Sequence, residues 1–153
     1  EKEALLAYTN QAAHTGSVHE VLEGADVFIG VSKGGLLAAG DIQRMAEAPI
    51  ILAMANPEPE IMPDVALAAG AAIVGTGRSD FPNQVNNVLA FPGIFRGALD
   101  AGARVIDGAM KVAAAHALAA AVADPLPERI LPQPMDRSVA PLIAEAVRRA
   151  VGQ

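Results

Sequence analysis

Between Asn83 and Asn87 the chain reads Asn-Gln-Val-Asn-Asn, four neutral amides around one apolar residue. An amide both donates and accepts hydrogen bonds and carries no titrating proton. Such a cluster can hold a polar ligand without changing its charge. Asn is also a favoured helix N-cap, which accounts for one of the four; the remaining three point to binding. A further amide, Asn56, precedes Pro57, which steers it toward extended backbone where an apolar run stops. Closing a turn is its plain alternative role. Free N–H groups and the helix dipole at a helix start favour a carboxylate or phosphate. Asn86-Asn87 at a helix start and Asn56 at a strand end therefore suggest a pocket for a hydroxy acid beside a nucleotide.

Other candidates carry less. Arg78 and Asp80 could grip a carboxylate, but a local ion pair between them is the simpler reading. Glu58 and Glu60 look like a carboxylate pair, yet between prolines on a loop they read as a solvated rim. His14 and His19 are too isolated for a metal site, and His116, in an Ala-rich helix, reads as packed. Lys111 follows Asp107 by one helical turn, which reads as a surface pair, and nothing in the sequence joins Lys111 to Tyr8 as acid and base. No Gly-x-Gly-x-x-Gly occurs, so the turn that cradles a pyrophosphate is outside this chain. No Walker-type loop, HExxH or clustered acid pair appears.

The elements that must position these residues alternate. Ala25 to Ser32, Ile50 to Ala55 and Ala71 to Gly75 are apolar runs bounded by Gly, Pro or Asn, the pattern of parallel strands covered on both faces. Asp41 to Ala48, ended by Pro49, and Pro63 to Ala69, stopped by Gly70, read as the helices between them. Before the first strand lie a weak helical pattern over Lys2 to Ala13 and a short turn from Val18 to Leu22. After Asn87 the chain is helical, with a kink or break at Pro92-Gly93, a long Ala-rich helix capped by Asp107, a Pro-rich connection from Pro125 to Pro134, and a last helix begun by Asp136 or Ser138. The order predicts an α/β fold of about three parallel strands with trailing helices. Ligands to such a sheet bind outside the strands' carboxyl ends, here Val31-Ser32, Asn56 and Gly75-Thr76-Gly77.

The 153 residues are 52% hydrophobic and 18% charged, enough to bury one domain's core. A net charge of −6 with no basic run argues against a nucleic-acid face. The absence of cysteine removes disulfides, thiolate metal sites and cysteine nucleophiles, and fits a reducing cytoplasm. No apolar run is long enough to span a membrane, and the reading is a soluble protein.

The segments GADVFIGVS, PIILAMANPEPEI, GTGRSDFPNQVNNVLAFPGIFRGALD and IDGAMKVAAAHALA closely resemble the bacterial malic enzymes, from about Gly24 to the C-terminus. The resemblance implies that residues 1–153 are one partial domain, the C-terminal half of a Rossmann-like NAD(P)-binding sheet with trailing helices. It implies oxidation of malate with NAD or NADP and a divalent metal, Mg2+ or Mn2+, followed by decarboxylation to pyruvate. By that likeness Asn56 contacts malate and the nicotinamide side of the cofactor, Asn87 holds a malate carboxylate, Asn86 lies by the cofactor, and Val31 and Ser32 pass beneath the nucleotide. The family's catalytic tyrosine and lysine and its metal-binding carboxylates match nothing here, so the remainder of the enzyme must supply them, and a homo-oligomer is the family's habit. Lys33-Gly34-Gly35 departs from the family's Ala-Pro-Gly. A non-catalytic nucleotide-binding or interaction module derived from that domain is the alternative.

Overall fold

The computed structural model describes residues 2–151. Two short helices, α1 (Lys2–Leu6) and α2 (Val18–Val21), lead into a three-stranded parallel sheet built from β1 (Val27–Gly30), β2 (Ile50–Ala53) and β3 (Ile73–Thr76) in that order. The crossovers carry α3 (Ala39–Arg44) and α4 (Pro63–Ala68), as parallel strands require. Register fixes the layout of the ends: Gly30 lies opposite Ala53, and Ala53 opposite Thr76. One face of the sheet is packed. Phe28, Ile51, Ala53 and Val74 meet Leu22, Ile42, Met45, Ile61 and Ala66 from the helices and loops. Burying an Ile as completely as Ile51 contributes about 1.5–3 kcal/mol.

The expectation of cover on both faces fails for β1. Phe28 and Gly30 point inward, while Ile29 is 65% and Val31 79% exposed. The helices α2 to α4 lie against a single face, and among the described residues nothing covers the other side of this edge strand.

Helix α3 begins at Ala39 and stops at Arg44, short of the expected Ala48. Two tertiary hydrogen bonds end it: Gly24 N–H donates to the Arg44 carbonyl at 2.9 Å and Ala46 N–H to the Ala25 carbonyl at 3.0 Å. Residues leading into β1 thus take groups that a longer helix would have used itself. Helix α4 stops where expected, with Gly70 at φ +110°, a conformation glycine reaches without a Cβ penalty.

Beyond β3 the chain forms a 3-10 turn (Asn87–Leu89), α5 (Phe91–Asp100), α6 (Gly108–Ala120) and α7 (Val139–Ala150). The break falls at Ala90 rather than at Pro92-Gly93. Pro92 sits instead in the first turn of α5, where its missing N–H would have had no partner. Asp107 caps α6 by accepting from Met110 N–H at 2.9 Å. Its carboxylate is thereby committed to the backbone rather than to the expected surface pair with Lys111.

Both α5 and α6 pack on α7 around Ala98, Met110, Ala114, Ile143 and Val147. The α5–α7 approach is close because α5 presents glycine. A Cβ at Gly93 would stand 2.6 Å from the Ile143 Cβ, and one at Gly97 would meet the Ala144 carbonyl and stand 2.8 Å from the Val147 Cβ. Gly97→Ala should gain about 1 kcal/mol in helix propensity and lose about 2–3 kcal/mol to overpacking. A net destabilisation of about 1–2 kcal/mol is expected as a lower urea midpoint at unchanged slope. An unchanged or raised midpoint would show that the two helices separate freely.

Candidate site at the carboxyl ends of the strands

The aligned strand ends open onto a common side of the sheet. Val31 and Ser32 leave β1 there, and Met54-Ala55-Asn56 leave β2; all but the half-buried Met54 and buried Ala55 are exposed. What joins the two exits is Glu60. Its side chain is fully buried. Oε1 accepts from Ser32 N–H at 2.8 Å and from Ser32 Oγ at 3.1 Å, and Oε2 accepts from Ala55 N–H at 2.9 Å. One carboxylate therefore fixes Ser32, the second residue beyond β1, against Ala55, the residue before Asn56.

The backbone completes the corner. Gly35 N–H donates to the Pro59 carbonyl at 3.1 Å and Leu37 N–H to the Glu60 carbonyl at 2.9 Å. Gly30 clears the space, since a Cβ there would lie 2.6 Å from Glu60 Cδ. The Asn56-Pro57 peptide is cis. Glu58 is exposed, as a solvated rim should be, but Glu60 overturns that reading. The sequence holds only a weak hint, the apolar neighbours Pro59 and Ile61; the structure buries both and the carboxylate with them.

The four amides divide by role. Asn83, at φ +54°, is buried and structural. Its Nδ2 donates to the Val74 carbonyl at 3.1 Å and to the Pro127 carbonyl at 2.7 Å, and its Oδ1 accepts from Ile130 N–H at 2.8 Å. Gln84 pairs alongside Thr76, and Val85 N–H donates to the Thr76 carbonyl at 2.7 Å. Asn86 is the cap, its Oδ1 accepting from Val88 N–H at 3.0 Å. Asn87, exposed, opens the 3-10 turn. The Asn86–Asn87 turn is thus anchored to β3, whereas Ser32 is joined through Glu60 to Ala55, the residue before Asn56.

The remaining candidates resolve individually. Arg78 and Asp80 form the local pair expected, with Nε to Oδ1 at 2.9 Å and Nη2 to Oδ2 at 2.6 Å. His116 is exposed, not packed, because α6 turns Met110 and Ala114 toward α7 instead. His19 Nδ1 lies 3.0 Å from the buried carboxylate of Asp41, which also accepts from Arg44 at 2.6 Å and Ala38 N–H at 2.8 Å. Tyr8 is exposed. Among the described residues no three His, Cys, Asp or Glu side chains gather to hold a metal, and no helix is long and apolar enough to cross a membrane.

Parallel strands with helical crossovers, and polar loops at their aligned carboxyl ends, place this chain among the Rossmann-like nucleotide-binding sheets. Residues 3–151 match the family model described as malic enzyme, NAD binding domain, and the chain belongs to that family. The bifunctional malic/malolactic enzyme of Bacillus subtilis is 55% identical over 151 residues, which cover 97% of this chain and 37% of that protein. The NAD-dependent malic enzyme of Geobacillus stearothermophilus is 51% identical over 144 residues, covering 93% of this chain and 30% of its own length. The NADP-dependent malic enzyme of Escherichia coli is 45% identical, with coverage of 98% and 22%. The crystal structure of an NAD-dependent malic enzyme from Thermotoga maritima superposes with a TM-score of 0.91 at 46% identity, covering 95% of this chain and 38% of the other. The chain therefore spans 22–37% of the length of these curated relatives.

Electrostatics at Glu60 follow from its surroundings. Burial pushes the carboxyl up, but the N–H groups of Ser32 and Ala55 and the Ser32 hydroxyl outweigh it and hold the group below the ordinary glutamate value. The carboxylate's stabilisation is complete above about pH 4.5 and is lost as pH falls through the lower, folded value. Glu60→Gln should cost about 2–3 kcal/mol at neutral pH, since one N–H then faces an amide donor. Urea unfolding from pH 7 to pH 3 should also show a shallower loss of stability in the variant; parallel curves would remove the buried charge from the account.

Proposed function

We propose that this chain is the C-terminal portion of the NAD-binding domain of a malic enzyme, oxidising malate with NAD or NADP and releasing pyruvate and CO2. The observation that carries the reading is the Ser32–Asn56 corner on the carboxyl side of a sheet whose family is the malic enzyme NAD-binding domain. The chemistry of the corner fits the nicotinamide half of such a cofactor: an exposed apolar Val31, an exposed Ser32 hydroxyl and an exposed Asn56 amide. It does not fit the pyrophosphate, because no Gly-x-Gly-x-x-Gly is present.

When bound, NAD(P) would supply the acceptor for a hydride from malate C2. Val31 and Ser32 pass beneath the nucleotide, Asn86 lies beside it, Asn56 fixes substrate against the ring, and Asn87 binds a malate carboxylate. These are positioning roles, which lower the barrier by holding reactants in attack geometry. Proton transfer falls to residues outside the chain, as does the holding of Mg2+ or Mn2+, for which the described residues gather no ligand set. The exposed Ile29–Val31 side of β1 supports partnership with the rest of the enzyme, and a homo-oligomer in the cytoplasm completes the proposal.

Asn87→Ala in the full-length enzyme should raise the KM for malate about tenfold, the loss of roughly one buried hydrogen bond. Unchanged KM and kcat would remove Asn87 from the site. The purified 153-residue chain, given malate, Mn2+ and either cofactor, should form no pyruvate, and detectable turnover would overturn the division of labour.

A further inference from the structure

Glu60 presents an energetic puzzle. A buried carboxylate without a cation is costly, and no ion pair among the described residues includes it. A neutral residue could close the loop after Pro57. A carboxylate does something a neutral cap cannot: it offers two equivalent acceptor oxygens, one turned to each strand exit. The surrounding glycine agrees, since Gly30 leaves no room for a Cβ beside that carboxylate. The backbone bonds from Gly35 and Leu37 bind the loop after β1 to the same stretch.

We infer that Glu60 is a positioning residue of the proposed site: its two oxygens lock Ser32 to Ala55, so that the cofactor-facing end of β1 and the malate-facing Asn56 keep one fixed separation. The inference rests on the reading that Val31–Ser32 face the cofactor and Asn56 faces malate. It goes beyond that reading by making the two binding surfaces one unit, with a side chain that touches neither ligand as the link.

The test is a double-mutant cycle in the full-length enzyme, comparing Glu60→Gln, Asn56→Ala and the double variant, with thermal stability measured alongside. Glu60→Gln should raise the KM for malate and for NAD(P) about tenfold each. In the double variant the malate KM should be no worse than in Asn56→Ala alone, because Glu60 acts on malate through Asn56. Glu60→Asp keeps the charge but shortens the reach, and should restore part of the loss. A merely structural Glu60 would lower Tm and leave both KM values unchanged, and that result overturns the inference. Multiplying effects in the double variant overturn it as well. If Asn56→Ala alone leaves the malate KM unchanged, the underlying site reading fails and takes this inference with it. If Asn56→Ala acts and Glu60→Gln does not, the site reading stands and the inference alone falls. Should Glu60→Gln not yield folded enzyme, Glu60→Asp is read in the same cycle, with a several-fold, non-additive rise in malate KM expected and an unchanged KM overturning the inference.

Discussion

Between the exits of β1 and β2 the Glu60 carboxylate is buried with three donors around it and, among the described residues, no cationic side chain paired to it. Hydrogen bonds to a charged acceptor are shorter and stronger than neutral ones, and here they substitute for the water that the group gives up. Much of the local sequence becomes intelligible from that requirement. Gly30 must lack a side chain, Ser32 must present both an N–H and a hydroxyl, and the loop after Asn56 must double back within five residues to bring the carboxylate under Ala55. The parallel register supplies the remaining condition, because Gly30 and Ala53 already lie opposite one another.

The helical layer obeys a different constraint, one of shape. Glycines on α5 let its backbone approach Ile143, Ala144 and Val147 on α7, and the Ala-rich face of α6 fills the remaining side. Small residues against branched ones give close packing with few aromatics, which is how a chain that is 3% aromatic still builds an interior.

Features that depend on neighbours in sequence are legible in the residues alone. The Asp107 cap, the Gly70 stop and the Arg78–Asp80 pair all arise within a few residues of their cause, and the three strands show as separate apolar runs. What escaped was tertiary. Helix α3 ends early because residues before β1 take its carbonyl and the next amide. Glu60 reads as a rim carboxylate until Ser32, 28 residues away, is known to face it. Asn83 belongs to a cluster that suggests ligand binding, yet its three partners are a strand carbonyl and a distant proline-rich segment. The site assignment itself drew on family likeness for the individual roles of Asn56, Asn86 and Asn87, since amide chemistry alone names no ligand.

The Asn83 bonds have a topological result. By joining β3 to Pro127 and Ile130, which lie 44 and 47 positions beyond Asn83 itself, one amide closes a ring that contains the 3-10 turn, α5 and α6. Closure entropy grows only slowly with ring size, roughly 0.6 kcal/mol for each doubling. The connections inside the ring can therefore change length at little entropic cost, whereas α5 and α6 are fixed in length by their packing on α7. The clasp that closes the ring is a single side chain that sits outside all of its helices.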